Sequence, residues 1–230
     1  SFIGGIMSVF RDLVNIWKSE DNLSQAWSES NDMLHLSHEM FNDAVEALRS
    51  GEKNKVLKSI KLRDEKINDY HREIRKKVVT YYSVSKDVTN IDSGLVLINT
   101  VVDIERIGDY SKNILDLAKH YPKKFLAEKF SDDLRTIETT VIDRFSSTIK
   151  AVENMDENLA DELIASYRND LGKISDNLVA ASISGEVEIG KENKTASVAL
   201  YARYLKRIGA HLKNITSLVV NPFESIGYIK

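Results

Sequence analysis

The chain has 230 residues, with 32 Lys and Arg against 35 Asp and Glu, 10 Gly, 2 Pro and no Cys. So few turn formers disfavour sandwiches, propellers and turn-rich α/β folds, while 42% hydrophobic residues exclude wholesale disorder. The missing cysteines remove disulfide frameworks, thiolate nucleophiles and zinc ribbons, and a net charge of −3 gives no global attraction for nucleic acid.

In chain order, residues 7–18 put Val9, Phe10, Leu13, Val14 and Trp17 on one side of a short helix. That face suits packing on the bundle or on a second subunit better than on a membrane, because the basic face of a membrane binder is missing. Residues 22–49 carry Ala26, Met33, Leu36, Met40, Ala44, Ala47 and Leu48 at three- and four-residue spacings, which predicts a long helix stopped by Ser50-Gly51. Residues 53–82 predict a second, with Val56, Ile60, Ile67, Ile74 and Val78 on its inner face. Residues 91–120 predict a third, ended by Tyr121-Pro122, since proline cannot continue a helix. The plan then recurs, with helices over about 127–153, 156–182 and 193–220, a loop at 184–190, and Asn221-Pro222 at the end. The Lys pairs at 76–77 and 123–124 are short and isolated and read as solvated surface. No apolar run approaches the roughly 20 residues of a membrane helix. A cytoplasmic protein is therefore expected, with no nucleic acid and no membrane insertion.

The recurrence is visible in residue identity. Glu105–Ile114 aligns without gaps on Lys206–Ile215, 101 residues later, with six of ten positions identical. An internal repeat of this length predicts duplicated supersecondary units. The expected fold is all-α: six long helices as two tandem pseudo-symmetric three-helix bundles, plus a short N-terminal helix. The expected divisions are an extension at 1–20, repeats at 21–122 and 123–222, and a tail at 223–230.

Two carboxylates in this segment need an explanation. Glu105 and Asp109 are four residues apart, on one helix face, beside the apolar stripe Leu97, Val101, Ile104, Gly108 and Leu115. Like charges so placed repel, and the bundle boundary screens them less than water does. A nearby cation removes the conflict, and it would be either a bound metal or a basic side chain. For a metal, Asp64, Glu65 and Asp69 on the preceding helix are further oxygen donors, and an all-carboxylate set suits Fe³⁺, Mn²⁺, Mg²⁺ or Ca²⁺. Without a metal, Asp103–Arg106 and Asp109–Lys112 would form i,i+3 ion pairs. Gly108 and Gly209, at matching places inside helices, predict close approach of a neighbouring backbone.

No catalytic machinery is apparent. His35, His38 and Glu39 match neither H-E-x-x-H nor H-x-x-E-H, and Asp32-x-x-His35 has no second copy from which to build a di-iron site. Nucleophile elbow, phosphate loop and dinucleotide fingerprint are all missing from the sequence.

The repeated unit, with E-R-I-G-D-Y-S-K-N-I at 105–114, A-V-E-A-L-R-S-G at 44–51 and A-R-Y-L at 202–205, resembles the PhoU phosphate-uptake regulators over nearly all of residues 20–220. The resemblance implies a regulator rather than an enzyme, built as two three-helix bundles about a pseudo-twofold axis and often dimeric. It implies control of phosphate uptake and phosphate-starvation signalling through contact with the ATPase of an ABC phosphate transporter and with a phosphate sensor kinase. It also implies a metal site in the first repeat, with Glu105 and Asp109 as motif acids and Asp103, Asp64 and Asp69 as co-ligands, holding iron or another hard ion (Mn, Mg or Ca). The second motif departs from the pattern: Lys206 and Ala210 replace acids, which limits any metal to the first repeat and makes Lys206 a partner for acids such as Asp170. Two alternatives stay open beside this reading. One is a metal-binding helical bundle, the other the cytoplasmic PhoU-like domain of a sodium–phosphate cotransporter.

Overall fold

A computed structural model describes residues 9–85, 90–121, 125, 131–185 and 194–221. The regular structure among them is helical: α1 (Val9–Ser19), α2 (Asp21–Ser50), α3 (Asn54–Ser85), α4 (Ile91–His120), α5 (Ser131–Asn154), α6 (Glu157–Tyr167), α7 (Lys173–Ser184) and α8 (Lys194–Val220). The helix starts and stops follow local chemistry. Gly51 ends α2 in the left-handed region at φ 71°, and the N–H groups of Gly51 and Glu52 both reach the Ala47 carbonyl. The same stop recurs after α5, where Asp156 N–H bonds the Ala151 carbonyl and Met155 takes φ 53°. α4 and α8 end at His120 and Val220, as expected, although Pro122, Pro222 and the Lys123–Lys124 pair lie outside the described residues.

α2, α3 and α4 pack on one another as the first bundle, and α5, α6, α7 and α8 form the second. The expected straight helix over 156–182 is interrupted by a π-helical turn at Arg168–Gly172, so its two parts are α6 and α7. Tertiary contacts hold that distortion. Arg144 of α5, itself buried, donates to the Leu163 carbonyl (2.6 Å) and to Ser166 Oγ (2.7 Å) just ahead of the turn. Leu171, inside the turn, is fully buried against Gly209.

The bundles meet mainly through α4 and α8, and the contacts carry a pseudo-twofold pattern. Asp103 meets His211 while Tyr110 meets Tyr204, which is the same pair with the repeats exchanged. On α2 and α5, Phe41 stacks on Phe145, its own equivalent 104 residues later, at 5.8 Å between centroids. Arg49 Nε donates to Glu138 Oε2 (2.8 Å), and Glu153, the equivalent of Arg49, meets His35 (2.6 Å), one residue beyond the equivalent of Glu138. A residue touching its own copy is what an approximate dyad produces.

α1 docks within the chain. Phe10, Leu13, Val14 and Trp17 are buried, Trp17 stacks on Trp27 (4.9 Å), and Trp17 Nε1 donates to the Ser93 carbonyl (3.3 Å). Val9 remains half exposed, and on α3 the inner position expected of Val56 is taken by Leu57. Lys77 also departs from the expected solvated pair, since its ammonium donates to both oxygens of Glu29 (2.8 and 3.0 Å).

Candidate functional site

The acid cluster forms where α3 packs against α4. Gly108 lies at that contact: a Cβ there would be 3.2 Å from Ile67 Cδ1 and 3.8 Å from Asp64 Oδ1. The expected close neighbour is thus a side chain rather than backbone, and at Gly209 it is likewise Leu171.

Three of the five expected site acids assemble here. Asp64 is buried, and Glu105 and Asp109 are partly so, with side chains 18% and 31% exposed. Lys112 Nζ sits between two of them, donating to Asp64 Oδ2 and to Asp109 Oδ1 at 2.9 Å each. Arg106 Nη1 donates to Asp109 Oδ2 (3.1 Å), and Arg106 Nε lies 3.7 Å from Glu105 Oε2. Asn68 Nδ2 adds a bond to Asp64 Oδ2 (3.3 Å).

The other two acids lie elsewhere. Asp69 is solvent-facing and paired with Arg72 on its own helix. Asp103 faces α8, accepting from His211 Nδ1 (2.7 Å) and Asn214 Nδ2 (3.0 Å) rather than pairing with Arg106. Helix geometry accounts for both. Asp103 and Glu105 are two residues apart, about 200° around the helix, and Asp64 and Asp69 about 140° apart. Glu65 points outward as well.

The electrostatics reflect an acid excess partly met by basic side chains. Burial raises the Glu105 carboxyl above its ordinary value, with Asp109 and Asp64 adding to the shift and Arg106 and Lys112 opposing it. For Lys112 burial acts to lower the value, yet its hydrogen bonds to Asp109 and Asp64 prevail and hold the ammonium above the ordinary lysine range. The neighbouring His71 is lowered by burial and by Arg75, Arg106 and Arg72.

These observations also test the metal expectation. The oxygen donors are of the right kind for a hard ion. Lys112, however, stands between Asp64 and Asp109, and among the described residues no group of three or more His, Asp or Glu side chains is arranged to hold a metal. With the ammonium in place, the donor set does not fit a resident ion.

In the second repeat the equivalent surface is inverted in charge. Lys206 Nζ donates to Asp176 Oδ1 (2.5 Å), not to Asp170, whose side chain lies outside the described residues. Lys213, the counterpart of Lys112, lies over the Tyr167 ring at 5.3 Å. Burial lowers its ammonium below the ordinary lysine range. An open pocket of about 410 Å³ sits beside Lys206, with Tyr167, Lys173 and Asp176 in its lining.

Sequence reasoning missed one polar network between the repeats. Glu138 of α5 accepts from Tyr201 Oη of α8 (2.5 Å) and from Arg49 of α2 (2.8 Å). Tyr201 is fully buried, and desolvation followed by the Glu138 charge pushes its hydroxyl well above the ordinary tyrosine value. The only available signal was a Glu at an otherwise apolar-flanked helical position, which is too common to single out.

Comparison with known proteins agrees with this architecture. Residues 31–118 match the family model of the PhoU domain. No curated protein matches the chain. Among solved structures, PhoU from Pseudomonas aeruginosa superimposes with a TM-score of 0.77 at 21% identity, over 87% of this chain and 96% of that one. The phosphate transport system regulatory protein PhoU from Streptococcus pneumoniae does so with a TM-score of 0.73 at 16% identity, over 86% of this chain and 93% of that one. At such identities the structural likeness is one of fold, and it covers most of the chain. The first repeat thus matches the PhoU domain, and the chain as a whole shares the fold of the two PhoU structures.

Proposed function

We propose that the protein regulates phosphate transport and phosphate-starvation signalling by protein–protein contact in the cytoplasm, and that it is not an enzyme. The observation that carries this reading is the PhoU-domain match over residues 31–118 within a whole-chain PhoU fold. The partners implied are the ATPase of an ABC phosphate transporter and a phosphate sensor kinase, with a homodimer as the working state.

Two features of the surface support action by contact. Large apolar side chains stand exposed at the ends of the helical hairpins: Val79 and Val84 on α3, Ile91 and Leu95 on α4, and Ile183 on α7. Four of these flank the connection from α3 to α4, and such apolar surface is what a partner would cover. Among the described residues no helix is long and apolar enough to cross a membrane, so contact with a transporter would be made from outside the bilayer by these helices.

Deletion of the gene in its host tests the reading. Phosphate-uptake genes, normally silent in phosphate-rich medium, should be expressed there at a level several times that of the parent. Unchanged expression, with the deletion verified, overturns the proposal.

A further inference from the structure

We propose that Lys112 is the resident cation of the first repeat's acid cluster, so that this chain joins α3 to α4 without a metal ion, and that removing the ammonium turns the same oxygens into a hard-cation site. The proposal concerns the chemistry of the cluster and goes beyond the regulatory reading.

The geometry leads there directly. An ammonium offers three donors on a compact point charge, and Lys112 uses two of them to bridge Asp64 of α3 and Asp109 of its own helix, both at 2.9 Å. A metal ion would have to occupy that same position between oxygens on two helices. Arg106 binds the remaining oxygen of Asp109 and approaches Glu105, so three carboxylates face two fixed cations. A divalent ion entering this arrangement meets both positive charges at close range, where partial burial limits screening.

The second repeat also joins its helices through a lysine, at a different position from Lys112. Lys206 stands at the position of Glu105 and Ala210 at that of Asp109, and the Lys206 ammonium ties α8 to Asp176 of α7. Each repeat therefore links its second and third helices through a lysine on the third. A lysine fixed by the sequence gives a joint whose occupancy does not vary with metal supply.

The test uses the full chain, purified without chelator, as wild type, Lys112→Met and Lys112→Arg. Metal content is read by elemental analysis, Mn²⁺ binding by calorimetry, and folding by circular dichroism and thermal melting. Wild type and Lys112→Arg should hold far less than one metal ion per chain, and EDTA should leave their melting midpoints unmoved. Lys112→Met should melt lower, take up about one Mn²⁺ per chain at least about tenfold more tightly than wild type, and recover its midpoint as Mn²⁺ is added. If Lys112→Met lacks native helicity, Lys112→Gln, which retains a donor, is measured in its place. A wild-type chain that carries stoichiometric metal, or a folded neutral variant that binds Mn²⁺ no better than wild type, overturns the proposal. Neither readout depends on phosphate regulation, so its failure leaves the regulatory reading standing.

Discussion

His38 sits between the repeats with opposing demands on its ring. It packs on Phe145 at 4.7 Å between centroids, and its Nε2 lies 3.0 Å from Asn42 Nδ2, which needs an acceptor there. Burial lowers its value below the ordinary histidine range, His35 lowers it further, and Glu39 opposes them. A depressed histidine leaves the unfolded chain binding more protons than the folded one across the window between the two values. The stability tied to neutral His38 is thus intact above about pH 6.5, declines as the pH falls from there towards the folded value, and levels off below it. Thermal midpoints measured from pH 7.5 to pH 5 should fall less steeply in His38→Gln than in wild type. An identical pH slope in the variant would remove His38 as the titrating group. At this scale the sequence identified the acids but not their directions. Glu105, Asp109 and Asp64 were legible because spacing and an antiparallel neighbour put them together. Asp103 and Asp69 were not, because nearness in sequence says nothing of the side of the helix a residue faces, and each points away from the cluster. Lys112 was visible as an i,i+3 partner of Asp109, while its bond to Asp64 depends on how α3 sits against α4, which spacing within one helix does not give.

The helices themselves show why ends were easier to read than interiors. Gly51 occupies a left-handed cap, and its position in the sequence marked it. Met155 fills the corresponding cap with a side chain at φ 53°, a conformation that disfavours non-glycine residues by roughly 1–2 kcal/mol, and nothing in its residue type announced it. The π-helical turn at Arg168–Gly172 was also illegible, since periodicity over 156–182 is that of a continuous helix and the distortion is held by Arg144 and by Leu171. Close packing sets the cost of changes within the helices. A Cβ at Gly94 would meet Tyr82 Cε2 at 2.3 Å and Val78 Cγ1 at 3.0 Å. Tyr82 cannot swing aside freely, because its hydroxyl donates to the Asn90 carbonyl (2.5 Å) and lies 3.0 Å from Ser93 Oγ. Gly94→Ala should therefore cost about 1–3 kcal/mol in denaturant unfolding, as overpacking does. Gly108→Ala meets only the flexible end of Ile67 at 3.2 Å and gains roughly 1 kcal/mol of helix propensity, so its net change should be smaller. Equal losses in the two variants would show that the ring at Tyr82 is free to move.

For the molecule as a whole, the approximate dyad decides how the two repeats share stability. The repeated string at 105–114 and 206–215 was strong evidence of duplication, but it could not show that the two copies face each other. The structure brings α4 against α8, and there the copies have diverged in a complementary way. Asp103 corresponds to Tyr204 and Tyr110 to His211, so one exchanged contact is a carboxylate–imidazole bond (2.7 Å) and the other an aromatic pair at 6.1 Å. His211 Nε2 is buried without a hydrogen-bond partner, which leaves Nδ1 and its bond to Asp103 as the ring's one polar tie. Asp103→Ala would strand that N–H and the Asn214 amide inside the interface, at a cost of about 1–3 kcal/mol. The consequence should extend to both repeats. Trp17 and Trp27 lie on α1 and α2, so tryptophan fluorescence follows the first bundle while far-UV circular dichroism follows the helices of both. If α4 and α8 join the bundles into one cooperative unit, Asp103→Ala should lower the midpoint by the same amount in both signals, keeping the transitions coincident. Should the fluorescence midpoint hold while the dichroism midpoint falls, the repeats unfold separately and the α4–α8 contact is not what couples them.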